Sequence, residues 1–197
     1  TYAKGAAVLK QLVAWVGTEA FLDGVRAYFT AHEWGNTQLR DLLTELEATS
    51  GRDLGAWSRV WLERAGVTLL RPLLEVDDDG VITSFAVAQE VPDEHPVQRP
   101  HRLVIGGYDV VERDGRPRLE RTLRVETDID GARTEVPELV GRSRPALILV
   151  NDEDLAYAKI RLDDASLDTA IAHLANFEDS LARSLVWAAA WDRSRDG

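Results

Sequence analysis

"VITSFAVAQ", residues 81–89, alternates with the two-residue period of an extended strand. The same texture runs from Val67 to about Asp163, broken by the turn signals "DDDG" (77–80), "RDG" (113–115) and "DIDG" (128–131). Strands are predicted near 67–76, 81–89, 101–112, 118–128, 132–136, 146–150 and 155–162. No helical crossover separates them, so the expected arrangement is an antiparallel sandwich and not a parallel sheet. "EVPDEHPVQRP" (90–100) carries three prolines and reads as a loop or an edge crossing.

Upstream of the strands the period changes to that of helices. Val8, Leu9, Leu12, Val13 and Val16 recur at helical spacing, and Gly17 is placed to stop that helix. Thr18 is the expected cap of a second helix in which Phe21, Val25 and Phe29 share a face, ended by Gly35. Thr37 is the expected cap of a third, with Leu39, Leu42, Leu43 and Leu46 inward and Gly51 as its stop. Asp53 caps a fourth, with Leu54, Trp57 and Trp61 inward and Gly66 beyond its end. Downstream, helices are expected from an Asp164 or Ser166 cap and from an Asp179 or Ser180 cap. The fold class is therefore α+β in three parts: helices over 1–66, a β-sandwich over 67–163, and further helices over 164–197.

On a helical projection of 180–192, Leu181, Leu185, Ala188 and Trp191 form one stripe, with Trp187 at its margin. Val186, Ala189 and Ala190 make most of the other side apolar too. A helix apolar nearly all round is normally buried among neighbours, so self-association through 180–192 is expected.

The 197 residues carry 34 acids against 23 bases, a net charge of −11. With no basic stripe, a nucleic-acid backbone is excluded as partner. No window reaches the roughly 18 consecutive apolar residues of a membrane span. There are no cysteines, which removes disulfides, thiolate metal sites and thiol nucleophiles. The chain has no Met, at its start or elsewhere, and no signal peptide, so it is expected to be an internal piece of something longer.

Few residues have the spacing that chemistry needs. His32-Glu33 begins like H-E-x-x-H, but the second His would fall at Asn36, beyond the helix stop at Gly35. The other histidines, 95, 101 and 173, are scattered. "GRSRP" (141–145) lacks the second Gly of a nucleophile elbow. Gly106-Gly107 follows a strand with no helix start after it, the pattern of a bulge. Asp152, Glu153 and Asp154 read as a solvated turn between strands. Tyr2 remains, either a frayed terminal side chain or a hydroxyl able to hydrogen-bond an oxyanion without giving up its proton.

"TYAKGAAVLKQLVAWVG" (1–17) resembles the Tyr-x-Lys-Gly-Ala segment of aminopeptidase N-type zinc metallopeptidases, the gluzincin aminopeptidases. The run from Phe21 to Val67, with its "HEWGN" turn and Trp-rich helix, is similar to the helices closing that family's catalytic domain. "LILVNDEDLAYAKIRLD" (147–163) resembles the end of its β-sandwich domain, and "SLARSLVWAAAWDRSRDG" (180–197) the first helices of its C-terminal helical domain in actinobacterial members. The resemblance implies a zinc-dependent enzyme that hydrolyses the N-terminal residue from peptide substrates, in a cytoplasmic setting. Tyr2 matches the tyrosine whose hydroxyl stabilises the tetrahedral intermediate. Gly5 would let another segment approach the helix. Ala3 departs from the Glu common there, which leaves any contact by that Glu without a counterpart. The H-E-x-x-H motif, the downstream Glu ligand and the G-x-M-E-N-type loop are expected upstream of Thr1, so the chain alone is expected to lack the zinc site and to be inactive. The alternative is a non-catalytic β-sandwich module that binds a partner protein.

Overall fold

The computed structural model describes residues 2–196, which divide into two compact units, one ending at Ala65 and the other starting at Gly66.

The first unit is four helices: α1 (Tyr2–Val16), α2 (Thr18–His32), α3 (Leu39–Ser50) and α4 (Leu54–Leu62). Gly17 both closes α1 and opens α2. Its N–H donates to Val13 O and its carbonyl accepts from Phe21 N, each at 2.9 Å, with φ at 89°, a value that favours glycine. It therefore takes the capping position expected of Thr18, which becomes the first residue of α2. The third helix is capped by Gln38 in a reciprocal box with Asp41, and not by Thr37. The Thr37 hydroxyl is instead 2.5 Å from the Tyr28 hydroxyl. Gly51 and Asp53 do as expected: the first ends α3 in a left-handed conformation, and the Asp53 side chain accepts from Ala56 N. Glu47 Oε1 adds bonds from the N–H groups of Leu54 and Gly55, supplying negative charge at the start of α4.

The interior of this unit is Val8, Leu12 and Val16 from α1, Leu43 and Leu46 from α3, and Leu54, Trp57 and Trp61 from α4. The one buried residue of α2 is Gly24, where a Cβ would lie 2.7 Å from Leu46 Cδ2 and 3.1 Å from Leu46 Cα. Glycine thus sets how closely α2 and α3 approach, and Thr49 Oγ1 on α3 bonds Ala20 O across the contact at 2.8 Å. Phe21 and Val25 are half-buried beside it, while Phe29 is exposed.

The second unit holds seven strands: β1 (Leu69–Val76), β2 (Ile82–Glu90), β3 (His101–Arg113), β4 (Arg116–Ile129), β5 (Arg133–Glu135), β6 (Leu147–Asp152) and β7 (Lys159–Ile160). They form a four-stranded sheet in the order β5-β2-β1-β7 and a three-stranded sheet in the order β4-β3-β6. All ladders are antiparallel except β1 with β7, which pair in parallel through Leu69 with Lys159 and Leu70 with Ile160. Both sheets contribute to one core, with Leu70, Phe85 and Val87 from the first and Leu103, Ile105, Leu119 and Leu149 from the second.

Helices α5 (Asp164–His173) and α6 (Ser180–Asp196) belong to that same core through Ala170, Ala182, Val186 and Ala189. The cap of α5 is Asp163, one residue before Asp164 and three before Ser166, the two positions expected. Ser166 is instead buried, its hydroxyl donating to Asp163 and accepting from Ile148 N, which ties the start of α5 to β6. Asp179 caps α6, accepting from Leu181 N. The inward face of α6 is Ala182, Val186 and Ala189; of the expected stripe, Leu185 packs half-buried against the same core while Leu181, Ala188 and Trp191 turn outward, leaving Trp187 63% and Trp191 65% exposed.

Gly106 and Gly107 do mark a register shift, between Gly107 and Tyr108 against β4. They also clear space on both faces of β3. A Cβ on Gly106 would overlap the Asp152 carboxylate, and one on Gly107 would lie 2.5 Å from Pro145 Cγ. Replacing Gly106 by Ala should therefore push Asp152 off its partners and cost about 2–4 kcal/mol in urea unfolding. Combined with Asp152→Ala, the two losses should fall short of their sum by about 1 kcal/mol or more. Simple additivity would contradict the steric account.

His101 is buried at the start of β3 with Nε2 3.2 Å from the Thr68 hydroxyl. Burial, reinforced by the charge of Arg99, lowers its pKa to about 3. The unfolded chain takes up that proton near pH 6.5, so the stability His101 contributes is complete above that pH and is lost as pH falls toward about 3. Compared with His101→Gln, the protein should become progressively less stable through this window in pH-dependent urea unfolding. A difference between the two proteins that stays constant with pH would contradict it.

Candidate active-site tyrosine

Tyr2 is the first residue of α1, and its side chain is 96% exposed. It lies on the turn that precedes the buried stripe of Val8, Gln11, Leu12 and Val16, so the helix that carries it is anchored further along. Leu9, also exposed, is seven residues on and shares its side of the helix. A Cβ on Gly5 would meet no atom within 4 Å, so no close approach is seen there. The arrangement presents a hydroxyl donor outward from a fixed helix, which suits hydrogen bonding to an oxyanion.

The other polar candidates have structural partners. His32 is the last residue of α2, its ring 5.5 Å from that of Tyr28. Among the described residues, no group of three or more His, Cys, Asp or Glu is arranged to hold a metal ion. Asp152 and Glu153, expected in a solvated turn, belong instead to an ionic cluster on β3, β4 and β6. Tyr108 Oη donates to Asp152 Oδ1 at 2.8 Å and Arg121 to Asp152 Oδ2 at 3.0 Å. Arg121 also reaches Glu153 at 2.8 Å, and Arg124 holds Glu153 with both Nε and Nη2.

Burial raises the Asp152 pKa despite these bonds, and burial together with the Asp152 charge raises that of Tyr108. The hydrogen bond from Arg124 is the main cause that lowers Glu153. Arg121, 31 residues before Asp152, is the member that no local pattern connects to it. The turn that follows β6 is fixed by Asn151, whose side chain bonds Ala156 through both its amide nitrogen and its oxygen. The cluster is thus internally matched, with carboxylates and guanidinium groups already facing one another, and serves to join three strands.

Residues 1–61 match the Peptidase family M1 domain. Aminopeptidase N of Streptomyces lividans is 58% identical over 202 aligned residues, covering 100% of this chain and 23% of that protein. Aminopeptidase N of Lactococcus lactis subsp. lactis is 41% identical over 83 residues, 42% of this chain and 10% of that protein. The chain therefore spans less than a quarter of the length of these curated relatives. The crystal structure of Legionella pneumophila aminopeptidase A in complex with aspartic acid shares the fold, with a TM-score of 0.59 and 18% identity over 92% of this chain and 20% of that one. The chain is thus aminopeptidase N-like along its whole length, with its first 61 residues matching the Peptidase family M1 domain.

Proposed function

We propose that this chain supplies the oxyanion-stabilising tyrosine of a zinc-dependent aminopeptidase, which releases the N-terminal residue of peptides. The observation that carries this reading is the outward-facing Tyr2 hydroxyl on α1, within the stretch that matches the Peptidase family M1 domain. On this reading, 1–66 is the end of a catalytic domain, 67–163 a β-sandwich domain and 164–197 the start of a helical domain. The cytoplasmic setting is part of the proposal and rests on resemblance.

As water adds to a peptide carbonyl, the carbon becomes tetrahedral and its oxygen gains negative charge. The Tyr2 hydroxyl would donate to that oxygen, keeping its own proton, in a bond stronger in the transition state than in the ground state. Zinc, when bound in the whole protein, would act as a Lewis acid. The described residues do not offer it a ligand set, so the contribution derived for this chain is that of the tyrosine alone. By itself the chain would be inactive.

Self-association belongs to the same proposal. Trp187 and Trp191 face outward from α6. Pairing with a second copy would cover both tryptophans. Sedimentation should show concentration-dependent association, reduced by Trp187→Lys with Trp191→Lys; a strict monomer at high concentration would contradict it.

In the full-length enzyme, Tyr2→Phe should lower kcat by about 10²–10³, as for loss of one oxyanion donor, with little change in KM. Retention of more than about half of the activity would mean that Tyr2 is a surface residue without a catalytic part.

A further inference from the structure

The turn signals of the second unit include three Asp-Gly pairs, Asp79-Gly80, Asp114-Gly115 and Asp130-Gly131. All three glycines have positive φ, at 76°, 69° and 71°. Such a pair carries a latent reaction, because the unshielded glycine nitrogen can attack the side-chain carbonyl carbon of the preceding aspartate. What distinguishes one pair from another is where the glycine N–H points.

At the first pair, Gly80 N–H donates to Asp77 O at 3.0 Å, away from Asp79. At the second, Asp114 and Gly115 form a two-residue hairpin turn between Arg113 and Arg116, and no hydrogen bond joins the glycine nitrogen to the aspartate side chain. At the third, Gly131 N–H points at the side chain of its own predecessor, 2.9 Å from Asp130 Oδ1. The Asp130 side chain is exposed, so its outer oxygen faces water.

The main chain on either side is held. Asp130 N donates to Thr134 Oγ1 at 2.9 Å, and the same hydroxyl donates to Asp130 O at 2.8 Å. Gly131 O accepts from Gln89 Nε2 at 2.9 Å, and Ala132 O from Gln89 N at 2.8 Å. These bonds hold Gly131 N beside the Asp130 carboxyl group.

We propose that Asp130 is a site of spontaneous isoaspartate formation. Gly131 N gives its proton to water and bonds to Cγ of the protonated Asp130 carboxyl group. The Cγ–OH bond breaks, one water leaves, and a five-membered imide remains. Water then adds back. Opening at the N–Cγ bond restores aspartate, while opening at the N–C bond leaves the chain running through Cγ with a free α-carboxylate. One water leaves and one returns, so the mass is unchanged and no oxidant or cofactor takes part.

The product places an additional methylene in the main chain beside Thr134. Both Thr134 bonds to Asp130 are then displaced, and β5 loses the turn that delivers it to the edge of β2.

The test is to age the purified chain at near-neutral pH and label it with protein-isoaspartate methyltransferase and a radiolabelled methyl donor, followed by peptide mapping. Label should be several-fold higher in the peptide containing 130–131 than in those containing 79–80 or 114–115. Asp130→Glu should abolish that label with an unchanged circular dichroism spectrum, since its ring would have six members and the side chain is exposed. Asp130→Asn should form the same labelled peptide faster, with ammonia leaving in place of water. Equal labelling of the three peptides, a maximum at either other pair, or label at this peptide in Asp130→Glu would overturn the proposal.

Discussion

Asp152 lies under the charged face of the three-stranded sheet with Tyr108 on one carboxylate oxygen and Arg121 on the other, and several irregularities of the second unit follow from keeping it there. Burying a carboxylate costs several kcal/mol unless hydrogen bonds and an opposite charge replace its water. To admit the group, β3 gives up a side chain at Gly106. To bring Arg121 within reach, β4 shifts register where it passes Gly107 and Tyr108. The chain then leaves β6 through Asn151, Glu153 and Asp154, three residues with positive φ, and Asn151 holds that turn closed on Ala156. Tyr108 is fixed from its other side by an edge-on contact with Phe177, 5.1 Å between ring centres, which ties the cluster to the segment between α5 and α6.

The sequence was most informative where a single residue decides the outcome locally. Gly51 and Asp53 end and begin helices through their own backbone and side-chain geometry, and the alternation around Phe85 marks a strand that is flanked by turns. Choices between neighbouring polar residues were less legible. Thr37 and Gln38 are both able to cap, and Asp41 decides between them by answering Gln38. In α6 both faces are apolar, so the projection shows that burial is needed without showing which side receives it. Small Ala182 and Ala189, not the tryptophans, fit against the sheet. The parallel pairing of β1 with β7 and the burial of Asp152 depend on partners far away in the sequence, and no local pattern encodes them.

For the candidate site, the helix that follows Tyr2 was legible from the periodicity of Val8 to Val16, while the role proposed for the tyrosine came from resemblance. The structure adds that the hydroxyl is carried by a helix whose buried stripe starts at Val8, more than one turn from the tyrosine. The carrier is therefore anchored from Val8 onward.

On the proposed reading of Tyr2, that geometry makes the start of α1 an arm that extends beyond its anchorage at Val8. Six residues at about 1.5 Å each put Tyr2 about 9 Å beyond Val8, so a tilt of about 5° swings it through about 0.8 Å. Displacements of about 1 Å are enough to cost catalysis dearly. On that reading the aim of the hydroxyl depends on how tightly Val8, Leu12 and Val16 are packed within the first unit. A change at any of these apolar positions would reach the tyrosine through the backbone of α1.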